Sequence, residues 1–251
     1  MPIAKGEVLP FRCGRALLGL ALLTVVMTLV FRSWPGLDLA VSGIFHDPGT
    51  GFLLADKAFW DGVLLANKVA SGIFLVAALV LFPVNLWQNW RQSQLHARYW
   101  LTVILLYLTG PGLLVNGLLK RVFGRARPVQ IVLFGGDGPF TQAWEVSDYC
   151  RSACSFVSAE VAAGTALSLG LALGAIWFAG RPAARIFRWL AYVSLGLLVL
   201  TAVQRIGSGR HFLSDVVFAA LLVAALGVGL ACLIRRSTVT VYADQIAGRT
   251  P

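Results

Sequence analysis

The chain has 251 residues, 58% of them hydrophobic and only 13% charged, with a formal net charge of +10. Soluble domains carry about a quarter charged residues, and the mean hydropathy here is +0.77, so a soluble globule is excluded and lipid must solvate much of the surface. The basic surplus does not point to nucleic acid. Lys and Arg gather at the ends of apolar segments, where they meet headgroups or an anionic substrate, and no interleaved aromatics form a base-stacking platform.

Lys5, Arg12 and Arg15 precede the first apolar stretch, Ala16–Trp34, in the manner of a signal peptide. It ends in Phe31-Arg32-Ser33-Trp34-Pro35, without a small-x-small cleavage pattern, and reads as an uncleaved membrane helix. In Leu37–Trp60, the residues Leu37, Val41, Ile44 and Phe45 recur at helical spacing beside Asp38, Ser42 and His46. That pattern predicts a short interfacial helix, followed by a turn at Asp47-Pro48-Gly49-Thr50-Gly51. The segment is either a lid over lipid headgroups or a plain connector.

Five more stretches approach the roughly 20 residues of a membrane helix: Val63–Trp87, Tyr99–Leu119, Ala153–Ala179, Trp189–Val203 and Phe212–Ile234. The fifth of the six is short and is expected to continue into the segment after it. The fold class is therefore all-α, a polytopic membrane bundle of about six helices with one interfacial helix. No repeat or linker divides the chain, so residues 1–251 read as one domain with a chemistry-bearing core at 99–234.

Six crossings put Leu37–Trp60, Lys120–Ser152 and Gln204–His211 on one side, and every unusual polar residue lies there. If the clusters around Lys120–Arg127 and Arg205–Arg210 bind substrate, the remaining Lys and Arg favour the opposite side as cytoplasmic. The chemistry then faces outward. Cys150 and Cys154 lie on this outer side, where an oxidising compartment permits a disulfide; two free thiols are the alternative. Cys13 and Cys232 read as inert lipid-side residues, and no Cys/His set has zinc spacing, so no metal is expected.

Three clusters carry chemistry. In Lys120-Arg121-Val122-Phe123-Gly124-Arg125-Ala126-Arg127-Pro128, Lys120 and Arg127 are seven apart, two turns on one helical face if the helix continues. A Lys point charge and an Arg fork are complementary holders of phosphate oxygens, although juxtamembrane basic clusters are common. In Cys154-Ser155-Phe156-Val157-Ser158-Ala159-Glu160, backbone N–H groups at a helix start plus a Ser hydroxyl offer an anion site. Glu160, ionisable at the edge of an apolar segment, is either functional or salt-bridged to Arg121, Arg125 or Arg127. In the third cluster, running from Arg205 to Asp215, His211 and Asp215 are i and i+4. Asp215 can then accept a hydrogen bond from one imidazole nitrogen and leave the other as a nucleophile in a fixed tautomer.

Together the clusters resemble the type 2 phosphatidic-acid phosphatase superfamily: K-x6-RP at Lys120…Arg127-Pro128, a middle motif at Ser158-Ala159-Glu160, and R-x5-H-x3-D at Arg205…His211…Asp215. The resemblance spans roughly Tyr99 to Ile234. It implies that His211 carries the phosphoryl group, that Asp215 orients it, and that Lys120, Arg127, Arg205, Ser158 and the Ala159 backbone hold the phosphoryl oxygens. Positioning and charge stabilisation then supply most of the catalysis, and no cofactor is implied.

The middle motif departs from the usual P-S-G-H. Val157 replaces proline, Ala159 replaces glycine, and Glu160 stands where the family places the histidine that protonates the leaving group. Burial and a phosphate dianion favour a protonated Glu160, whereas nearby arginines favour the ionised form. The stretch from Ser147 to Ser158, with the segment Asp38–Phe52, is similar to a bacterial branch that includes lipid A phosphatases. The resemblance thus implies a lipid phosphate substrate, with lipid A leading and polyprenyl diphosphate or phosphatidylglycerol phosphate behind it. A lipid phosphotransferase and a non-catalytic lipid-phosphate binder are rival readings, as is a haloperoxidase sharing the motif set, which the membrane-embedded chain disfavours.

Overall fold

The computed structural model describes residues 13–88, 91–151 and 154–246; Lys5, Arg12, Ser152 and Ala153 lie outside them. The described residues contain six helices long and apolar enough to cross a membrane. These are α1 (Cys13–Ser33), α3 (Ala58–Trp87), a composite third span, α6 (Ala159–Trp177), α7 (Pro182–Gly207) and α8 (Leu213–Ile246). The chain is an all-α polytopic membrane bundle.

Boundaries follow local chemistry. α7 starts at Pro182, ahead of the expected Trp189, because proline's fixed φ suits a first helical turn. It runs on through Arg205 to Gly207, as its short apolar stretch suggested. α6 starts at Ala159 and not at Ala153. Ser158 caps it, its side chain accepting the Val161 N–H at 3.4 Å, a role that serine fills well. The third span begins as α4 (Arg91–Tyr107), widens into a π-helical stretch at Leu108–Leu119 and closes in α5 (Lys120–Val122). Pro111 sits inside the wide stretch, where its missing N–H and its ring interrupt the ordinary ladder.

α6 is the axle of the bundle. Over its apolar window 56% of residues are buried, against 6% for α1, and it packs against α3, α7 and α8. Small residues make this possible: a Cβ on Gly170 would stand 2.7 Å from the Phe74 ring and one on Gly174 2.5 Å from the Phe187 ring. The Tyr99 hydroxyl donates to the Gly170 carbonyl at 3.0 Å, which satisfies a phenol buried between the helices. At the opposite end, Phe123, Trp144, Phe156 and Phe218 form an edge-to-face cluster beneath the polar loops.

Two expectations are corrected. Cys13 and Cys232 are not isolated lipid-side residues: antiparallel packing of α1 on α8 brings their Cα atoms to 6.0 Å, and they are disulfide-bonded. Cys150 and Cys154 are also bonded. The two bonds lie at opposite ends of the bundle, so cysteine pairing does not distinguish its two sides. The short helix α2 (Gly36–Ile44) exists, but its polar residues face inward. Asp38 and Ser42 are buried while Ile44 is exposed, because Asp38 reaches a buried arginine described below. The predicted turn is a small hairpin in which His46–Asp47 (β1) pairs with Gly51–Phe52 (β2). The Asp47 carboxylate accepts the Gly49 and Thr50 N–H groups, and these bonds lower its pKa.

Candidate active site

The three polar clusters converge where α5 and α7 end and α6 and α8 begin. Lys120 and Arg127 do not share a helical face, because the helix stops at Val122. The chain turns at Gly124 (φ +50°), where a Cβ would lie 1.8 Å from the Ser147 carbonyl oxygen; only glycine fits there. Successive carbonyls of Phe123, Gly124 and Arg125 then accept N–H groups from Ser147, Cys150 and Ser155 at 2.9–3.0 Å. This lacing pulls the second cluster against the first. The Val129 N–H donates to the Gly209 carbonyl at 3.0 Å, tying the first cluster to the third.

Lys120 is thereby brought within electrostatic reach of Arg127, Arg205, Glu160 and Asp215. Arg127, half-buried, has its pKa lowered by burial and by Arg210, with Glu160 opposing. Arg205 is buried in the last turn of α7, and its carbonyl accepts the N–H groups of both Arg210 and His211 at 3.1 Å. Lys120, Arg127 and Arg205, crowded together, repel one another, and a phosphate would relieve that repulsion. Ser158 uses an oxygen lone pair to cap α6 and keeps its hydroxyl proton for another acceptor.

His211 is 1% exposed. Its Nδ1 lies 2.7 Å from the Ser155 carbonyl oxygen. A carbonyl can only accept, so Nδ1 carries the proton and Nε2 presents its lone pair. Nε2 makes no hydrogen bond; its ionisable neighbour is Glu160, with Oε2 3.6 Å away. The other Glu160 oxygen is 3.7 Å from Arg205 Nη2, a basic partner other than those the sequence suggested. The Asn67 side chain donates to the Glu160 carbonyl at 3.0 Å and anchors the first turn of α6.

The expected direct hydrogen bond from His211 to Asp215 is not made. Nδ1 and Oδ2 are 3.6 Å apart, beyond hydrogen-bonding range. Asp215 is already occupied: Arg125 Nη1 donates to it at 2.7 Å, the Ser155 hydroxyl at 2.5 Å and the Phe212 N–H at 2.9 Å. Arg125, 0% exposed, also donates from Nη2 to Asp38 at 2.8 Å and from Nε to the Thr141 carbonyl at 2.9 Å. Its guanidinium carbon sits 4.2 Å from the Phe212 ring centroid. Burial pushes the Asp38 pKa up, with Arg125 opposing.

The structure thus gathers Lys120, Arg127, Ser158, Ala159, Glu160, Arg205, His211 and Asp215 at one end of the bundle. It adds Asp38 and Asn67, and it gives specific partners to Arg125 and Ser155, which the sequence placed in the clusters but not among the site residues. Arg125 carried a faint signal, being the member of the basic run beside the Gly124 turn. Among the described residues, no group of three or more His, Cys, Asp or Glu is placed to hold a metal.

The chain is similar to the lipid A 4'-phosphatase of Rhizobium leguminosarum, at 32% identity over 75% of this chain and 83% of that protein. It is similar to that of Rhizobium etli, at 32% identity over 77% of this chain and 80% of that protein. The Francisella tularensis subsp. novicida lipid A 4'-phosphatase is 29% identical over 77% of this chain and 84% of that protein. No solved structure matches the chain significantly. The PAP2 superfamily profile matches residues 100–238, from α4 to α8 and across all three clusters, and the chain belongs to the PAP2 superfamily.

Proposed function

We propose that the chain is a lipid phosphatase acting through a phosphohistidine on His211, with lipid A as the leading substrate. The observation that carries this reading is the state of His211: Nδ1 is held by the Ser155 carbonyl, and Nε2 is buried without a hydrogen bond, beside Glu160. The Nε2 lone pair attacks phosphorus, the bond from phosphorus to the lipid oxygen breaks, and that oxygen leaves with a proton. Water then attacks phosphorus, the P–N bond breaks, and inorganic phosphate departs while His211 returns to its starting form. Lys120, Arg127, Arg205, Ser158 and the Ala159 N–H hold the phosphoryl oxygens as charge moves between entering and leaving atoms. Glu160, beside Nε2, supplies the leaving-group proton and takes one from the attacking water.

The names of the relatives support lipid A over polyprenyl diphosphate or phosphatidylglycerol phosphate. Residues 1–251 act as one unit in a bacterial inner membrane, with the site facing the periplasm, as the charge bias outside the site suggests. The direct test is phosphate release by the purified protein from lipid A, with mass spectrometry of membrane lipids from a deletion strain. Phosphate should appear in chelator, and vanadate should compete with substrate. No phosphate release and an unchanged lipid profile would overturn the reading. Phosphate passed to an added lipid or sugar acceptor, in place of water, would make the protein a phosphotransferase.

A further inference from the structure

Asp38 lies outside residues 100–238, the part of the chain that defines its family, yet its side chain is 2% exposed and bonded to the third cluster. Its Oδ1 accepts the Ser214 N–H at 2.8 Å, and its Oδ2 accepts the Ser214 hydroxyl at 2.5 Å. Arg125 Nη2 reaches the same Oδ2 at 2.8 Å. Arg125 Nη1 in turn joins the Ser214 hydroxyl and Asp215 Oδ1, and the other Asp215 oxygen accepts from Ser155. Ser155 closes the chain, since its carbonyl is the acceptor for His211 Nδ1.

Each link is fully buried, so each missing partner would leave a polar group unsatisfied. A buried ion pair is in general a weak source of stability but a good fixer of geometry. Asp38 and Asp215 are both carboxylates, and Arg125 is bonded to both. Taking away Asp38 frees the guanidinium to rotate toward Asp215 or Thr141, which loosens Asp215 and then the Ser155 backbone. The carbonyl that selects the His211 tautomer is thus fixed from a helix the family core does not contain.

We propose that Asp38, acting through Arg125 and Ser155, is a positioning residue that locks His211 in its Nδ1–H tautomer and aims Nε2. This rests on the reading of His211 as nucleophile. It makes α2 part of the reaction apparatus, beyond either a lid or a connector. Because the link to His211 ends in a neutral carbonyl, Asp215 acts on the ring by holding Ser155 and by its charge across 3.6 Å.

The test combines kinetics with a readout independent of turnover. The chain contains three histidines, His46, His96 and His211, so ring-15N-histidine spectra of the detergent-solubilised full chain resolve each one, with His211→Gln assigning the third. The wild type should show His211 as a single Nδ1–H tautomer. Asp38→Asn and Ser155→Ala should each mix the tautomers, and kcat should fall about 10- to 100-fold while KM stays within about twofold. Ser155→Ala keeps the backbone carbonyl and removes only the hydroxyl, so it serves if Asp38→Asn does not fold. Unchanged tautomer signals in the folded variants, or equal loss of kcat and binding, would overturn the proposal. A wild type with the locked tautomer but no phosphatase activity would leave the positioning intact and refute the phosphatase reading instead.

Discussion

Replacing Glu160 by Gln separates two roles that the geometry allows. One carboxylate oxygen is 3.6 Å from His211 Nε2 and the other is 3.7 Å from Arg205, so Glu160 can either carry a proton or hold an arginine. As general acid it should matter in proportion to the difficulty of the leaving group. Positioned proton transfer contributes about 10²–10⁴-fold, which a sugar hydroxyl needs in full and a phosphate leaving group hardly needs. Glu160→Gln should therefore slow a sugar monophosphate by about 10²- to 10³-fold and a lipid diphosphate by less than about tenfold. Glu160→His should recover part of the sugar-phosphate rate, since imidazole can donate a proton from the same first turn of α6. Phosphate release from both substrates, measured on the same preparations across a concentration series, gives kcat and KM for each. Equal losses on the two substrates would sink the general-acid role and leave Glu160 as the partner of Arg205.

His211→Ala should abolish detectable phosphate release while lipid binding persists, and a substantial residual rate would end the phosphohistidine mechanism. Asp215→Asn should cut kcat by about 10²-fold or more, because it removes the carboxylate that Arg125, Ser155 and the Phe212 N–H share; near-normal kcat would refute that arrangement. Arg127→Lys should lose most activity, since a point charge cannot replace a bidentate fork, with full activity in kinetic assays as the contrary result. For orientation, a Cys13→Ser/Cys232→Ser variant leaves only the Cys150–Cys154 pair. After mild reduction, a membrane-impermeant thiol reagent should label it on intact spheroplasts, and labelling only after permeabilisation would reverse the topology.

Much of this was legible from residue types. Six apolar stretches gave the six spans, because a bilayer tolerates only helices or closed barrels and the runs were too long for strands. The family pattern named the residues that converge, because Lys and Arg are the side chains suited to hold a phosphate and His is one suited to attack it. What sequence could not show was how they converge. Lys120 and Arg127 looked like neighbours on a helix, and the positive φ of Gly124 breaks that helix. His211 and Asp215 at i and i+4 looked like a bonded pair, but the carboxylate oxygen facing the ring is taken by the Ser155 hydroxyl and the Phe212 N–H. Asp38, 177 residues ahead of Asp215 in the chain, read as the polar face of an interfacial helix, since periodicity alone does not reveal a buried arginine waiting for it. The partner of Cys13 was hidden for the same reason: its disulfide spans 219 residues.

The unequal burial of the spans bears on how the enzyme would sense its surroundings. Glu160 is carried by α6, which has the largest buried share, while Arg205 is carried by α7, where 11% of the window is buried. A helix sheltered by protein has little reason to move when the bilayer becomes thicker or thinner, whereas a lipid-facing helix tilts to match it. The proposed phosphate site therefore draws its groups from helices that differ in their contact with lipid. If α7 tilts with bilayer thickness, the separation of Arg205 from Glu160 changes with acyl-chain length. Turnover in vesicles of graded thickness would then peak at one chain length, making the membrane itself a setting on the reaction.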